Sequence, residues 1–159
     1  MTEAVLIRKM TRSDTERVTE IDEALFGSQR FPTWPFSFQV YWREYSPDIG
    51  LVAEVGENVV GFIVGCLVVE DHNRSVLSLR RSEQPRPAYQ VGWIDMIGVQ
   101  PGSQNAGVGS RLVQAFCSEC KSANVSVRAV ARENDARLRH FLEAAGFRTR
   151  DLLIYEKDT

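Results

Sequence analysis

Apolar and polar positions along this chain recur at two spacings, about 2 residues for strands and about 3.6 for helices, and the spacing predicts each element. Ala4–Arg8 reads as a first strand. Val18, Ile21 and Leu25 follow at helical spacing, behind Ser13-Asp14-Thr15-Glu16, which has the spacing of a capping box. Gly27 to Pro35 is a loop rich in Phe, Trp and Pro. Ser37 can cap a second helix that carries Phe38, Tyr41, Trp42 and Tyr45 on one face. Leu51–Val55 and Val59–Val69 are β-rich and are joined by Gly56-Glu57-Asn58, a hairpin signal. Asp71 to Gln90 is polar, holds Pro85 and Pro87, and reads as a long loop. Trp93–Val99 reads as a fourth strand, Gly107–Lys121 as a helix, and Val125–Val130 as a fifth strand. Asp135–Ala145 is helical, with Leu138, Phe141, Leu142 and Ala145 in one stripe, and Gly146 stands where a helix-ending glycine belongs. Leu152–Glu156 is a last strand.

This order belongs to an α/β domain with a mixed sheet. The fourth strand, its helix and the fifth strand form a β-α-β crossover, so those two strands should run parallel. No repeat, low-complexity tract or linker divides the chain, and its 159 residues fit a single domain, 1–159. A chain of this size can bury a core without disulfide or metal staples.

Charge and cysteine usage narrow the partners. The net charge of −2 leaves no basic excess to grip a phosphate backbone, so no nucleic-acid partner is expected. No apolar run approaches the roughly 20 residues of a membrane span; the longest, Val59–Val69, is broken by Gly61 and Gly65. Met1-Thr2-Glu3-Ala4 carries an acid and no basic-then-apolar leader, so a cytoplasmic location is expected. Cys66, Cys117 and Cys120 make an odd, sparse set that argues against a disulfide framework. Cys117 and Cys120 form a C-x-x-C, but within a helical pattern and without a second pair or a nearby histidine. A zinc site needs about four ligands, so the thiols are expected to pack and no metal site is expected.

The segment that carries chemistry is Val99-Gln100-Pro101-Gly102-Ser103-Gln104-Asn105-Ala106-Gly107-Val108-Gly109-Ser110, which leaves a strand and enters a helix. Glycines there let a ligand approach the backbone, and the free N–H groups of the first helical turn favour an anion. A Walker A loop requires lysine where Val108 stands. A dinucleotide fingerprint requires a third glycine where Leu112 stands. Both readings fail.

Gln104-x-x-Gly107-x-Gly109 resembles the [QR]-x-x-G-x-[GA] loop of the GCN5-related N-acetyltransferase (GNAT) superfamily. Ile94-Asp95-Met96-Ile97-Gly98-Val99-Gln100-Pro101 looks like that family's fourth strand, and Asn134 to Phe147 like its second conserved segment. The resemblance implies a mixed, mostly antiparallel sheet of six to seven strands flanked by about four helices. It implies acetyl-coenzyme A as co-substrate, its pyrophosphate on Gln104, Asn105, Ala106, Gly107, Val108, Gly109 and Ser110. The pantetheine arm would lie in a wedge between Met96–Val99 and Val125–Val130, against Ile97, Gly98 and Val99, with Asn134 contacting the cofactor as well as capping the last helix. Gly98 in a strand marks a bulge or a close approach of backbone, or simply packs.

The implied reaction is direct attack of an amine in a ternary complex. The Val99 N–H would polarise the thioester carbonyl. Asp95, a carboxylate in a central strand on the same face as Trp93, is the candidate base, with Glu70 second; a structural aspartate is the competing reading. Many family members place a tyrosine, the general acid, where this chain has Leu142, and His140 is a weak substitute. Asp22, Glu23 and Glu44 could attract an ammonium group, and Phe31, Trp34, Phe36 and Trp42 either line an aromatic pocket or roof the core. The acceptor is expected to be an amine of a small molecule or a protein N-terminus, and the family allows a homodimer. A catalytically idle acyl-coenzyme A sensor or regulatory module is the alternative, supported only by the missing tyrosine.

Overall fold

The structure is a computed structural model that describes residues 4–27, 30, 36–70, 89–122 and 124–150, without the side chains of 69, 70, 89 and 90. The apolar run that begins at Val59 becomes the centre of a five-stranded sheet, the count referring to the described residues. Its strands are β1 (Val5–Lys9), β2 (Ile49–Val55), β3 (Asn58–Glu70), β4 (Tyr89–Val99) and β5 (Ser126–Ala129), in that spatial order. The first four are antiparallel in turn, and β5 runs parallel to β4 as the crossover requires. The expected sixth strand, Leu152–Glu156, lies outside the described residues, so five strands stand where six to seven were expected. Most of the expected Asp71–Gln90 loop also lies outside them, and its last two residues, Tyr89 and Gln90, open β4.

β2 and β3 are joined by a tight turn in which Gly56 takes φ +61, a left-handed conformation that glycine adopts without strain. Two helices, α1 (Thr15–Phe26) and α2 (Phe38–Tyr45), cover one face of the sheet. α3 (Val108–Ser122) covers the other, with α4 (Ala136–Ala144) beside it. The alternation of strand side chains therefore feeds two cores. Val52, Phe62, Val64 and Met96 meet Val18, Ile21, Phe38 and Tyr41 on the first face. Ala53, Ile63 and Ile94 meet Leu112, Phe116 and Cys120 on the second. Among the described residues no helix is long and apolar enough to cross a membrane.

The cap before α1 differs from expectation. Ser13 does not cap; the box sits earlier, where the Thr11 N–H and hydroxyl donate to Asp14 Oδ2 at 2.7 and 2.8 Å. Arg8 grips the same carboxylate through two nitrogens at 2.8 Å each and also binds Glu54. This pairing holds the Asp14 carboxyl well below the usual range and ties α1 to the sheet edge. Ser37 caps α2 as expected, accepting from the Val40 N–H at 3.4 Å. Gly146, at φ +89, ends the segment after α4, with the Phe147 N–H returning to the Leu142 carbonyl at 3.0 Å.

Candidate active site

β5 pairs with β4 only from Val91↔Ser126 to Ile94↔Ala129. From there to Val99 that edge of β4 has no β5 partner, and a cleft of about 700 Å³ opens along it. The cleft runs from Gln104, Gly107 and Ser110 along Ile97–Val99 to Asp95, with Leu25, Phe26 and Arg30 beyond and α4 forming its other wall. The expected wedge is shifted by this pairing: Ser126–Ala129 are occupied in the ladder, so only Ala129 and Val130 border the opening.

The Gln100 N–H donates to the Val60 carbonyl at 2.9 Å, towards β3. A strand residue sends its N–H and C=O to one side, and its neighbours send theirs to the other. Val99 and Ile97 therefore turn their main-chain groups away from β3 and into the cleft. The Val99 carbonyl is taken there by Gln104 Nε2 at 3.0 Å, and the Val99 N–H faces the same opening.

Gln104 also accepts from Arg137 of α4 at 2.6 Å, so one side chain stitches the loop to both walls. Asn105 at φ +65 and Gly107 at φ +76 reverse the chain sharply. The first intrahelical bond of α3 is from the Arg111 N–H to the Gly107 carbonyl, at 3.1 Å. The N–H groups of Val108, Gly109 and Ser110 come before it and have no helical acceptor, which places three donors at the positive end of the helix dipole. Gly109 and Ser110 line the cleft, while the Val108 side chain is buried in the core and Ala106 is exposed.

Two expectations about small and capping residues change. Gly98 is not at a bulge; a Cβ there would come within 2.6 Å of the Phe62 ring and 2.8 Å of Leu25, so the glycine makes room for packing under α1. Asn134 does not cap α4. Asp135 does, accepting from the Leu138 N–H at 2.9 Å, and Asn134 is exposed in the preceding turn.

The bulge lies at Asp95. Met96 pairs with Val64 and Ile94 with Gly65, leaving Asp95 without a partner in β3. A Cβ on Gly65 would sit 1.9 Å from the Trp93 carbonyl, so glycine is what lets the bulged strand come this close. The extra residue puts Asp95 and Met96 on the same face, both towards α2. There Tyr41 donates to Asp95 Oδ2 at 2.7 Å, and its hydroxyl stands 3.6 Å from Cys66 Sγ. Burial pushes the Asp95 carboxyl above its usual range, and the Tyr41 hydrogen bond draws it partly back. Burial also raises the Tyr41 phenol and the Cys66 thiol, which keeps both protonated near neutral pH. Tyr41 was legible only as a helix-face aromatic; the remaining signal was a tyrosine, not a phenylalanine, on a buried face.

On the acceptor side Asp22 does not await an ammonium group. It is fully buried, accepts from Arg30 at 3.1 and 2.6 Å and from the Phe38 N–H at 2.9 Å. Arg30 also binds Glu23, and Glu44 pairs with Arg43. Trp42 packs into the core, Phe36 is exposed, and Phe31 and Trp34 lie outside the described residues. Glu70 ends β3, with its side chain outside the described set. Leu142 is buried, and His140 is exposed at the cleft rim. Cys120 is buried in the core and its thiol is pushed up to about 11.

Solved structures with the same architecture are numerous but distant in sequence. An aminoglycoside acetyltransferase, AAC(6')-Iy, in complex with a coenzyme A bisubstrate analog is 14% identical with a TM-score of 0.73, over 98% of this chain and 99% of that one. A transcriptional regulator from Bacillus halodurans is 17% identical with a TM-score of 0.72, over 98% and 100%. An aminoglycoside acetyltransferase from an uncultured soil sample is 16% identical with a TM-score of 0.69, over 98% and 95%. Among curated protein sequences none matches. The model of the Acetyltransferase (GNAT) family matches residues 16–147, which hold the bulged strand, the glycine loop and both cleft walls, and the chain therefore belongs to that family.

Proposed function

We propose that this chain is an N-acetyltransferase, one domain over 1–159, that moves the acetyl group of acetyl-coenzyme A to a primary amine by direct attack in a ternary complex. One observation carries the reading: an unpaired strand edge leads from a row of free helix N-terminal amides to a half-buried carboxylate, all within a single cleft. The residues fit the co-substrate. The Val108, Gly109 and Ser110 amides suit a diphosphate, with Gln104, Asn105, Ala106 and Gly107 shaping the loop. The main-chain groups of Ile97 and Val99, on either side of Gly98, offer the strand edge along which an amide-bearing arm can pair. Asn134, exposed in the turn before α4 and next to the cleft-lining Asp135, is a candidate further contact.

Asp95 takes the proton of the attacking amine, directly or through water. Burial raises its pKa and so makes it a stronger base than an ordinary carboxylate. The Val99 N–H donates to the carbonyl oxygen as charge builds there. Leu142 has no proton to give, so the departing thiolate is protonated by solvent in the open cleft. The acceptor is a small-molecule amine or a protein N-terminus. The aminoglycoside acetyltransferases among the structural neighbours support the first.

A panel of amines, including aminoglycosides, amino acids, polyamines and short peptides, assayed for thiol release from acetyl-coenzyme A tests the reading. Turnover on at least one class is expected. Asp95→Asn should lower kcat/KM about 100-fold, the low end for loss of a general base, and remove the acid limb of the pH profile. Binding of coenzyme A with no turnover on any amine would overturn the catalytic half of the proposal.

A further inference from the structure

Tyr41 has no place on the cleft wall, is fully buried, and yet aims a hydroxyl at the carboxylate that forms the cleft's inner end. We infer that Tyr41 is a positioning residue for the base: its hydroxyl fixes the Asp95 carboxylate at the bulge and holds it in the ionised form that accepts the amine proton. The inference rests on the reading of Asp95 as the base.

Three features make this arrangement more than a chance contact. First, the bulge leaves Asp95 without a partner in β3 and puts it on the same face as Met96, towards α2. Second, α2 is seated by a buried pair. Asp22 holds the Phe38 N–H at the first turn of α2, and Arg30 holds Asp22, so Tyr41 one turn later has little freedom. Third, the Tyr41 ring is stacked on Tyr45 at 5.7 Å and 14°, a further contact that restricts the ring. A phenylalanine would fill the same space, so packing alone does not require the hydroxyl.

The groups that face Asp95 among the described residues are few. Tyr41 approaches from α2, Cys66 from β3, and Asp48 from the segment before β2. Arg30 lines the same cleft but is engaged by Asp22 and Glu23. Arg128 of β5 lies over the Trp93 ring, two residues from Asp95. The Asp48 charge raises the carboxyl, and among the described residues Tyr41 and Cys66 offer it a proton to share. Tyr41 is the better donor, since a thiol donates weakly. Removing its hydroxyl should therefore raise the Asp95 pKa further, so that the base becomes available only at higher pH.

Tyr41→Phe keeps the ring and loses the hydroxyl. Two readouts are measured in parallel: the Asp95 titration by 13C NMR of carboxyl-labelled protein, which needs no substrate, and kcat/KM against pH with an amine found in the panel. The NMR titration is expected to move upward. The acid limb is expected to move with it, costing about tenfold in kcat/KM at its foot and little on the plateau. Site-specific 3,5-difluorotyrosine at position 41, a stronger donor, should move both the opposite way, and it serves if Tyr41→Phe does not fold. An acid limb that tracks Asp95 but stays put in both variants overturns the inference and leaves the base reading standing. An acid limb unchanged in Asp95→Asn overturns the base reading, and this inference with it.

Discussion

At the loop end of the cleft the polar groups on offer are main-chain amides, set by consecutive residues from Val99 to Ser110. The Asp95 end is built from side chains delivered by three separate elements, with Tyr41 and Asp95 lying 54 residues apart in the chain. The first end depends on local geometry: a left-handed Gly107, a short turn and a helix start. The second depends on how α2 is seated on the sheet. The two ends should therefore fail separately, and each can be broken with the other left intact.

The largest effect is expected at Asp22. Asp22→Ala strips Arg30 of its buried partner and leaves the Phe38 N–H without an acceptor. Breaking a buried pair from one side costs about 3–5 kcal/mol, and chemical denaturation should show a loss of that order. In the fraction that stays folded, coenzyme A affinity should be unchanged while turnover falls, because the damage reaches Tyr41 and not the loop. Equal loss at both ends would mean that the cleft behaves as one unit.

Ser110→Glu attacks the other end. Position 110 is in the first turn of α3, where an acidic residue suits the helix dipole, so stability should hold or rise slightly. A negative charge facing the bound phosphates should weaken coenzyme A binding at least tenfold, about 1.4 kcal/mol, by calorimetry at low salt. Unaltered affinity in this variant would remove the diphosphate from the loop.

The contrast between the ends also explains what could be read in advance. The strand–loop–helix at 93–121 and the parallel crossover were legible because glycines and hydrophobic spacing act over a few residues. Gly98 and Gly109 looked alike in sequence, as places where a ligand approaches. In space Gly98 accommodates Phe62 and Leu25, and a Cβ on Gly109 would stand 3.3 Å from the Phe141 ring, which belongs to α4. The bulge at Asp95 was hidden because a bulge is a property of two paired strands, and Gly65, which permits it, lies 30 positions earlier. Asp22 looked like a free acid because nothing local says that Arg30 folds back onto it. Capping was misplaced twice: before α1 the box sits two residues earlier, on Thr11 and Asp14, and before α4 the cap is Asp135 and not Asn134. Several polar residues stood side by side there, and long-range partners such as Arg8 chose among them.

A gentler probe of the Asp95 end is stability against pH. The folded-state carboxyl sits above its unfolded value, so the group favours folding when protonated, and that contribution fades as pH rises through the folded value. Above it the protein holds a desolvated carboxylate. Asp95→Asn should therefore be slightly more stable than the parent at neutral pH, though less active. The difference should shrink as pH falls towards the unfolded carboxylate value of about 3.9. A parent that is the more stable of the two at pH 7 would show that the Tyr41 hydrogen bond outweighs burial.

The smallest effect separates two adjacent residues at the α4 wall. Asp135→Ala removes the cap of α4 and should cost about 1 kcal/mol in thermal or chemical unfolding. Asn134→Ala, at an exposed position with no cap to lose, should cost under about 0.5 kcal/mol. If Asn134 contacts the co-substrate, its variant weakens coenzyme A binding severalfold with the melting point intact, and the Asp135 variant does the reverse. An Asn134 variant that binds as well as the parent would confine the loop end to the Gln104–Ser110 amides, with α4 serving only as a wall.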